Sequence, residues 1–158
     1  MKIAIALAVI SLSTVASASV KIEKCFTRLY SDSHLAKNPN QVIREMKFAL
    51  AKDKLGTGLT YGIVTARHID ADGSFVASNS GTCSLSGDTY KCYLDADGGA
   101  YTVKISGNKA LLTVSDAITL SGVDPESETE EEEGLLMLEA GKDNGVFMMN
   151  LSRKSACK

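Results

Sequence analysis

The chain has 158 residues, 44% of them apolar, and a formal net charge of −2. A domain of this size buries roughly two thirds of its unfolded surface, so it can fold unaided. The near-balanced charge excludes a polybasic nucleic-acid binder, and no apolar run approaches the roughly 20 residues needed to cross a bilayer as a helix.

In chain order, Met1-Lys2 is a short basic start, Ile3 to Ile10 is an unbroken apolar run, and Ala16-Ser17-Ala18 supplies small residues for a signal peptidase. Residues 1–18 read as a cleaved secretory signal, with 19–158 as a single mature domain. The short, Lys-initiated leader points to a soluble bacterial protein, periplasmic or secreted.

Lys21 to Leu29 alternates loosely and reads as a strand, and Ser31 to Gln41, which carries Pro39, as a loop. Residues 41–54 are ambiguous. Val42, Met46 and Ala49 have helical spacing behind Asn40 as a possible cap, while Met46, Phe48 and Leu50 alternate strictly. The antiparallel character of the flanking segments favours a strand, and one helix at 41–54 is the alternative. Short strands follow around Leu59, Tyr61 and Ile63, Phe75 and Ala77, Tyr90 to Leu94, Tyr101 to Ile105, Leu111 to Val114, Ala117 to Leu120, Leu135 to Leu138 and Val146 to Leu151. Between them, Asp72-Gly73, Ser86-Gly87-Asp88, Asp97-Gly98-Gly99 and Gly107-Asn108 are hairpin signals. About eight short strands at this spacing predict an all-β, single-domain antiparallel barrel or sandwich.

Residues 124–133 (DPESETEEEE) hold seven acidic residues and no apolar one, which predicts a solvated loop. Without them the mature chain has 16 basic and 12 acidic residues, so a mildly basic body carries one acidic loop.

Cys25, Cys83, Cys92 and Cys157 form an even set in a chain read as exported, which predicts disulfides. Four cysteines allow three pairings. Spacing favours Cys83–Cys92 across a turn and Cys25–Cys157 between the two ends of the domain. Loop-closure entropy in the unfolded chain makes these worth about 2.7 and about 5 kcal/mol. No C-x-x-C motif or nearby His supports a zinc site.

Little in the sequence carries chemistry. His34 and His68 are the only histidines. His34 lies near Asp32 in a Ser-rich stretch, so a hydrolase using His34 is the least favoured reading, since no nucleophile elbow accompanies it. Asp70-Ala71-Asp72-Gly73 and Asp95-Ala96-Asp97-Gly98 resemble the middle of a calcium loop. Both lack the acidic first ligand and the Glu at the twelfth position, so they read as turns. Met137, Met148 and Met149 fall in apolar runs and read as core packing rather than a Cu(I) site. No cofactor, metal or catalytic residue is expected.

Two resemblances can be drawn. Cys25-Phe26-Thr27-Arg28, His34-Leu35-Ala36-Lys37-Asn38-Pro39, Ala140-Gly141-Lys142-Asp143-Asn144 with Val146-Phe147, and the closing Cys157 resemble small exported proteins of α-proteobacteria. That resemblance implies export and a single domain, and no activity. Ser86-Gly87-Asp88-Thr89-Tyr90 resembles the Ser-Gly-x-x-Tyr loop of periplasmic inhibitors of C-type lysozyme, which are small disulfide-tied β-barrels. It implies Ser86 and Tyr90 as residues contacting the enzyme's catalytic carboxylates. The family's second loop has no counterpart here, where Tyr101 is followed by Thr-Val-Lys-Ile-Ser-Gly. The expectation is therefore an exported, monomeric, non-catalytic binding protein, protein-facing and inhibitory in one form. The alternative is a small-molecule or Ca²⁺ binding module.

Overall fold

In the computed structural model, which describes residues 20–69, 75–123, 133–141 and 143–158, the chain forms one nine-stranded antiparallel sheet. The strands are β1 (Val20–Leu29), β2 (Ile43–Asp53), β3 (Thr60–His68), β4 (Val76–Ser86), β5 (Thr89–Leu94), β6 (Gly99–Ser106), β7 (Lys109–Val123), β8 (Glu133–Glu139) and β9 (Val146–Ser152). A six-residue helix, α1 (Asp32–Lys37), joins β1 to β2, and a 3-10 turn at Lys154–Cys157 ends the chain. The leader 1–18, the first Asp-x-Asp-Gly and acidic residues 124–132 lie outside the described residues.

The sheet closes on itself through β7. One edge of β7 pairs with β6 and, near its far end, with β4, where Ala77 lies opposite Gly122. The other edge pairs first with β9 and then with β8. Eight strands therefore make a ring, β1 to β7 plus β9, and β8 lies outside it. Both β8 and β9 run antiparallel to β7 on the same edge, so they are halves of one returning strand. The interruption at 140–145 stands opposite Ser115-Asp116 and is bracketed by hydrogen bonds from Ala140 N to Asp116 O and from Val114 N to Gly145 O.

Alternation explains the interior. Phe26, Phe48, Val64, Tyr101, Val103, Leu112, Ile118, Leu120, Leu138, Phe147 and Met149 are fully buried, or within 1% of it. Phe26 lies opposite Phe48 in the ladder, and their rings stack at 6.4 Å. Phe48 meets Tyr101 edge-on at 6.2 Å. The barrel is thus filled by side chains, as small barrels are.

Within residues 41–54 the chain forms β2 over Ile43–Asp53, the strand that strict alternation predicted, and no helix. Both favoured disulfides are present. Cys83 and Cys92 are direct partners in the β4–β5 ladder, and Cys157 in the final turn reaches Cys25 on β1. Two disulfides suit an oxidising environment. No described helix is long and apolar enough to cross a membrane.

Three expectations need correction. Residues 31–41 are not wholly loop: Ser31 caps α1 by accepting from the His34 N–H. The strands expected at 111–114 and 117–120 are one strand, because exposed Ser115-Asp116 continues extended instead of turning. Met149 is core, but Met137 and Met148 face outward at 59% and 45% exposure, since each alternates with a buried neighbour.

Candidate functional site

The β1–β9 ladder holds three residue pairs, from Cys25↔Ser152 to Thr27↔Asn150. Beyond it β1 runs on to Leu29 and β9 reaches back to Val146, so the two strands part. The wedge between them is a groove of about 500 Å³, lined by Arg28 and Tyr30 at the end of β1, His34 and Asn38 around α1, and Gln41. Leu111, Val146 and Met148 give it an apolar wall, and Asp143 stands at its rim.

The polar wall is built by short-range contacts. The Arg28 guanidinium lies over the Tyr30 ring, 5.2 Å from its centre, a cation–π arrangement. Tyr30 stacks on His34 at 4.9 Å. Burial pushes the Tyr30 hydroxyl above its ordinary ionisation range, and the Arg28 charge partly opposes that. Gln41 is almost fully buried, and its amide nitrogen donates to the Ile43 carbonyl. Its oxygen is left to accept, so the 3.1 Å contact with His34 requires a proton on His34 Nε2.

Arg28 is the chemically open member. Its Nε is buried with no hydrogen-bond partner, and no carboxylate forms an ion pair with it among the described residues. Two other guanidinium groups near this end are engaged. Arg44 pairs with Asp32 at 2.7 Å, and Arg67 with Glu45, its cross-strand partner, at 2.6 Å.

Asn144 follows the rim residue Asp143 and ties this part of the chain to the segment before β2. Its side-chain oxygen accepts from Val42 N at 3.0 Å and its amide donates to Asn40 O at 3.0 Å. The 140–145 excursion is thereby pinned to the segment entering β2.

The residues singled out from sequence are dispersed. Ser86, Gly87, Asp88, Thr89 and Tyr90 form the β4–β5 hairpin, with Gly87 at φ +64° in a two-residue turn. Ser86 is exposed and lies opposite Thr89, whereas Tyr90 lies opposite Leu85 and packs on the core. Strand alternation therefore puts Ser86 and Tyr90 on opposite faces of the hairpin. Asp88 at the tip bonds Lys104 on β6 at 2.8 Å and also Thr89, which together hold its carboxyl below the usual range.

His34 and Asp32 do not form a catalytic pair, since Asp32 is bonded to Arg44 and the His34 Nε2 proton to Gln41. His68 ends β3, remote in sequence from the wedge. Asp95 to Gly98 is a turn closed by Gly98 N to Asp95 O at 3.1 Å. Its positive φ angles fall on Ala96 and Asp97 rather than on Gly98. Gly98 is required for another reason, because a Cβ there would lie 2.5 Å from Asn79 Nδ2. Among the described residues no three His, Cys, Asp or Glu side chains come together as a metal site.

Sequence reasoning missed Arg28 and Tyr30. The one available signal was an Arg-x-Tyr at the end of an apolar strand, which has no meaning until β1 and β9 are known to diverge. No protein-family model, curated protein or solved structure matches the chain.

Proposed function

We propose that this is an exported, non-catalytic binding protein, periplasmic or secreted, whose ligand is a small apolar molecule bearing an acidic group. The observation that carries this reading is Arg28, which has no carboxylate partner among the described residues and lines the wedge together with an apolar wall. A guanidinium offers planar, paired donors suited to a carboxylate, and pockets for such ligands join an apolar lining to a few convergent polar groups. Leu111, Val146 and Met148 would take the ligand's body, Arg28 its acid, and Asp143 a donor at the rim.

Calorimetric titration with octanoate and with octanol tests it. Octanoate binds and octanol does not, and Arg28→Gln abolishes the difference while Arg28→Lys restores only part of it. Equal binding of acid and alcohol, or octanoate binding indifferent to Arg28→Gln, rejects the reading.

A second reading, a protein-facing inhibitor acting through Ser86 and Tyr90, draws on the hairpin tip, which Cys83–Cys92 braces and which projects Ser86 to solvent. In that case Ser86→Ala, a change at the exposed tip, eliminates inhibition of a C-type lysozyme and leaves the fold intact. Inhibition that survives the substitution removes Ser86 from the contact.

A further inference from the structure

The two strands that bound the wedge each turn main-chain groups into it. On β9, Leu151 N bonds Asn108 O and the Gly145 carbonyl accepts from Val114 N, so odd-numbered residues are directed at β7. Even-numbered ones are directed at β1, and Asn150 is the last of these with a β1 partner, Thr27. The N–H and C=O groups of Val146 and Met148 therefore face the wedge. On β1, Tyr30 N bonds Arg44 O on β2, so Leu29 before it is directed the opposite way, toward β9. Among the described residues no hydrogen bond reaches these groups of Leu29, Val146 or Met148, and the space between the strands is the groove of about 500 Å³.

Two facing edges of this kind suit a secondary amide. A trans amide sends its N–H and its C=O to opposite sides, so one edge can offer it a carbonyl and the other an N–H. The Arg28 guanidinium and the apolar wall of Leu111, Val146 and Met148 complete the description of the ligand. We infer that the wedge selects an N-acyl amino acid, with its carboxylate on Arg28, its amide between Leu29 and Met148, and its acyl chain on the apolar wall. The inference rests on the reading of Arg28 as the acid's partner. It adds Leu29 and Met148 as the residues that determine specificity, through their main chain.

The edges themselves favour this ligand over a plain fatty acid. A fatty acid filling the wedge would cover the Leu29 and Met148 groups and leave them unpaired, which costs binding. In an N-acyl amino acid one carbon separates the carboxylate from the amide, so an acid held by Arg28 brings the amide to the edges beside it. The open stretch is also short. Beyond Thr27, Leu29 is the one residue of β1 directed into the wedge before the strand ends. That length suits a single amide better than an extended peptide strand.

The test is calorimetric titration of the full chain with three ligands of equal chain length: N-octanoylglycine, its ester isostere octanoyloxyacetate, and undecanoate. The ester keeps the carbonyl and loses only the N–H. All three bind, and all three lose affinity in Arg28→Gln. N-octanoylglycine binds about tenfold or more tightly than the ester, whose oxygen leaves a strand carbonyl unpaired. Amide exchange gives a second readout. In the free protein Leu29 and Met148 exchange fast, while Phe147 and Met149, directed at β7, are protected. N-octanoylglycine slows exchange at Leu29 or Met148. Slow exchange at both without ligand would mean that the edges are already covered, and overturns the inference. Equal affinity for amide and ester overturns it too, and leaves the Arg28 reading standing if undecanoate still depends on Arg28. Failure of all three to bind, or binding indifferent to Arg28→Gln, removes both.

Discussion

The hydroxyl of Tyr101 on β6 lies over the backbone of Gly62 on β3, in space that a side chain at position 62 would occupy. A Cβ there would be 2.3 Å from the Tyr101 oxygen and 2.7 Å from Cys83 Sγ. The absent side chain is what lets the largest fully buried residue and the Cys83–Cys92 bridge share one layer of the core. Overpacking of this kind costs about 1–3 kcal/mol. Gly62→Ala should therefore lower the urea midpoint of unfolding without changing the m-value. A midpoint equal to that of the wild type would show that the layer yields more easily than its contacts suggest.

Tyr101 itself is imperfectly accommodated. Its hydroxyl is buried and, among the described residues, has no hydrogen-bond partner. Leaving such a group unsatisfied costs about 1–3 kcal/mol, and removing it leaves the ring's packing on Phe48 in place. Tyr101→Phe is expected to hold or raise stability, contrary to the usual effect of a core truncation. A clear loss in chemical denaturation would reveal a partner for the hydroxyl.

Burial also raises the ionisation of Tyr101 well above its ordinary value of 10.0. Below about pH 10 neither folded nor unfolded chain loses this proton, so stability is unaffected there. At higher pH the unfolded chain releases it and the folded chain retains it. The unfolded state then binds fewer protons, and stability falls as pH rises, by up to about 1.4 kcal/mol per pH unit for one such group. Denaturation between pH 9 and 11 should show a shallower decline in Tyr101→Phe than in the wild type. Identical slopes would assign the decline to other groups, among which Tyr30 is shifted in the same direction.

The disulfides should separate by the loops they close. Cys25 and Cys157 are 132 residues apart and Cys83 and Cys92 are 9 apart. Chain entropy alone gives about 5 kcal/mol for the long loop and about 2.7 for the short one. Replacing Cys25 and Cys157 together by Ala should therefore cost more than replacing Cys83 and Cys92. The reverse order would mean that the void left beside Tyr101 and Gly62 outweighs the entropy of a short loop.

Much of the barrel was legible because strand alternation and two-residue turns are local properties. Gly87 and Gly107 both take positive φ at the first position of their turns, as the dipeptides imply. The reading weakened where a local pattern had a distant cause. Tyr61 and Ile63 share a face, as their spacing requires, but it is the outer one. The inner face of β3 carries Gly62, Val64 and Ala66, whose smallness answers the bulk of Phe48 and Tyr101 on other strands. Ser115-Asp116 resembled a turn because both residues are polar, yet they mark the level at which the partner of β7 changes from β9 to β8. α1 escaped notice because six residues give too short a period, although Ser31 three residues before His34 was a capping signal. The wedge was invisible because Arg28 and Met148 come to line one groove only where two strands separate.

Asn144, next to the rim residue Asp143, joins segments that lie far apart in sequence. Its two hydrogen bonds reach Val42 and Asn40, more than 100 residues away, and nothing in the local sequence Lys-Asp-Asn-Gly indicates them. Asn144→Ala would free the Val42 N–H and leave the 140–145 excursion without its anchor. Such a loss costs about 1–3 kcal/mol where the orphaned group stays buried, and less here because Val42 is only partly so. The effect should be mostly local. Amide exchange should speed up at 40–43 and 143–146 while the β2–β3 and β5–β6 ladders keep their protection. If Arg28 holds a ligand, octanoate binding should weaken in Asn144→Ala even though no side chain lining the Arg28 side has changed. Accelerated exchange with unaltered octanoate affinity would confine Asn144 to supporting the fold, and would separate the groove's stability from its capacity to bind.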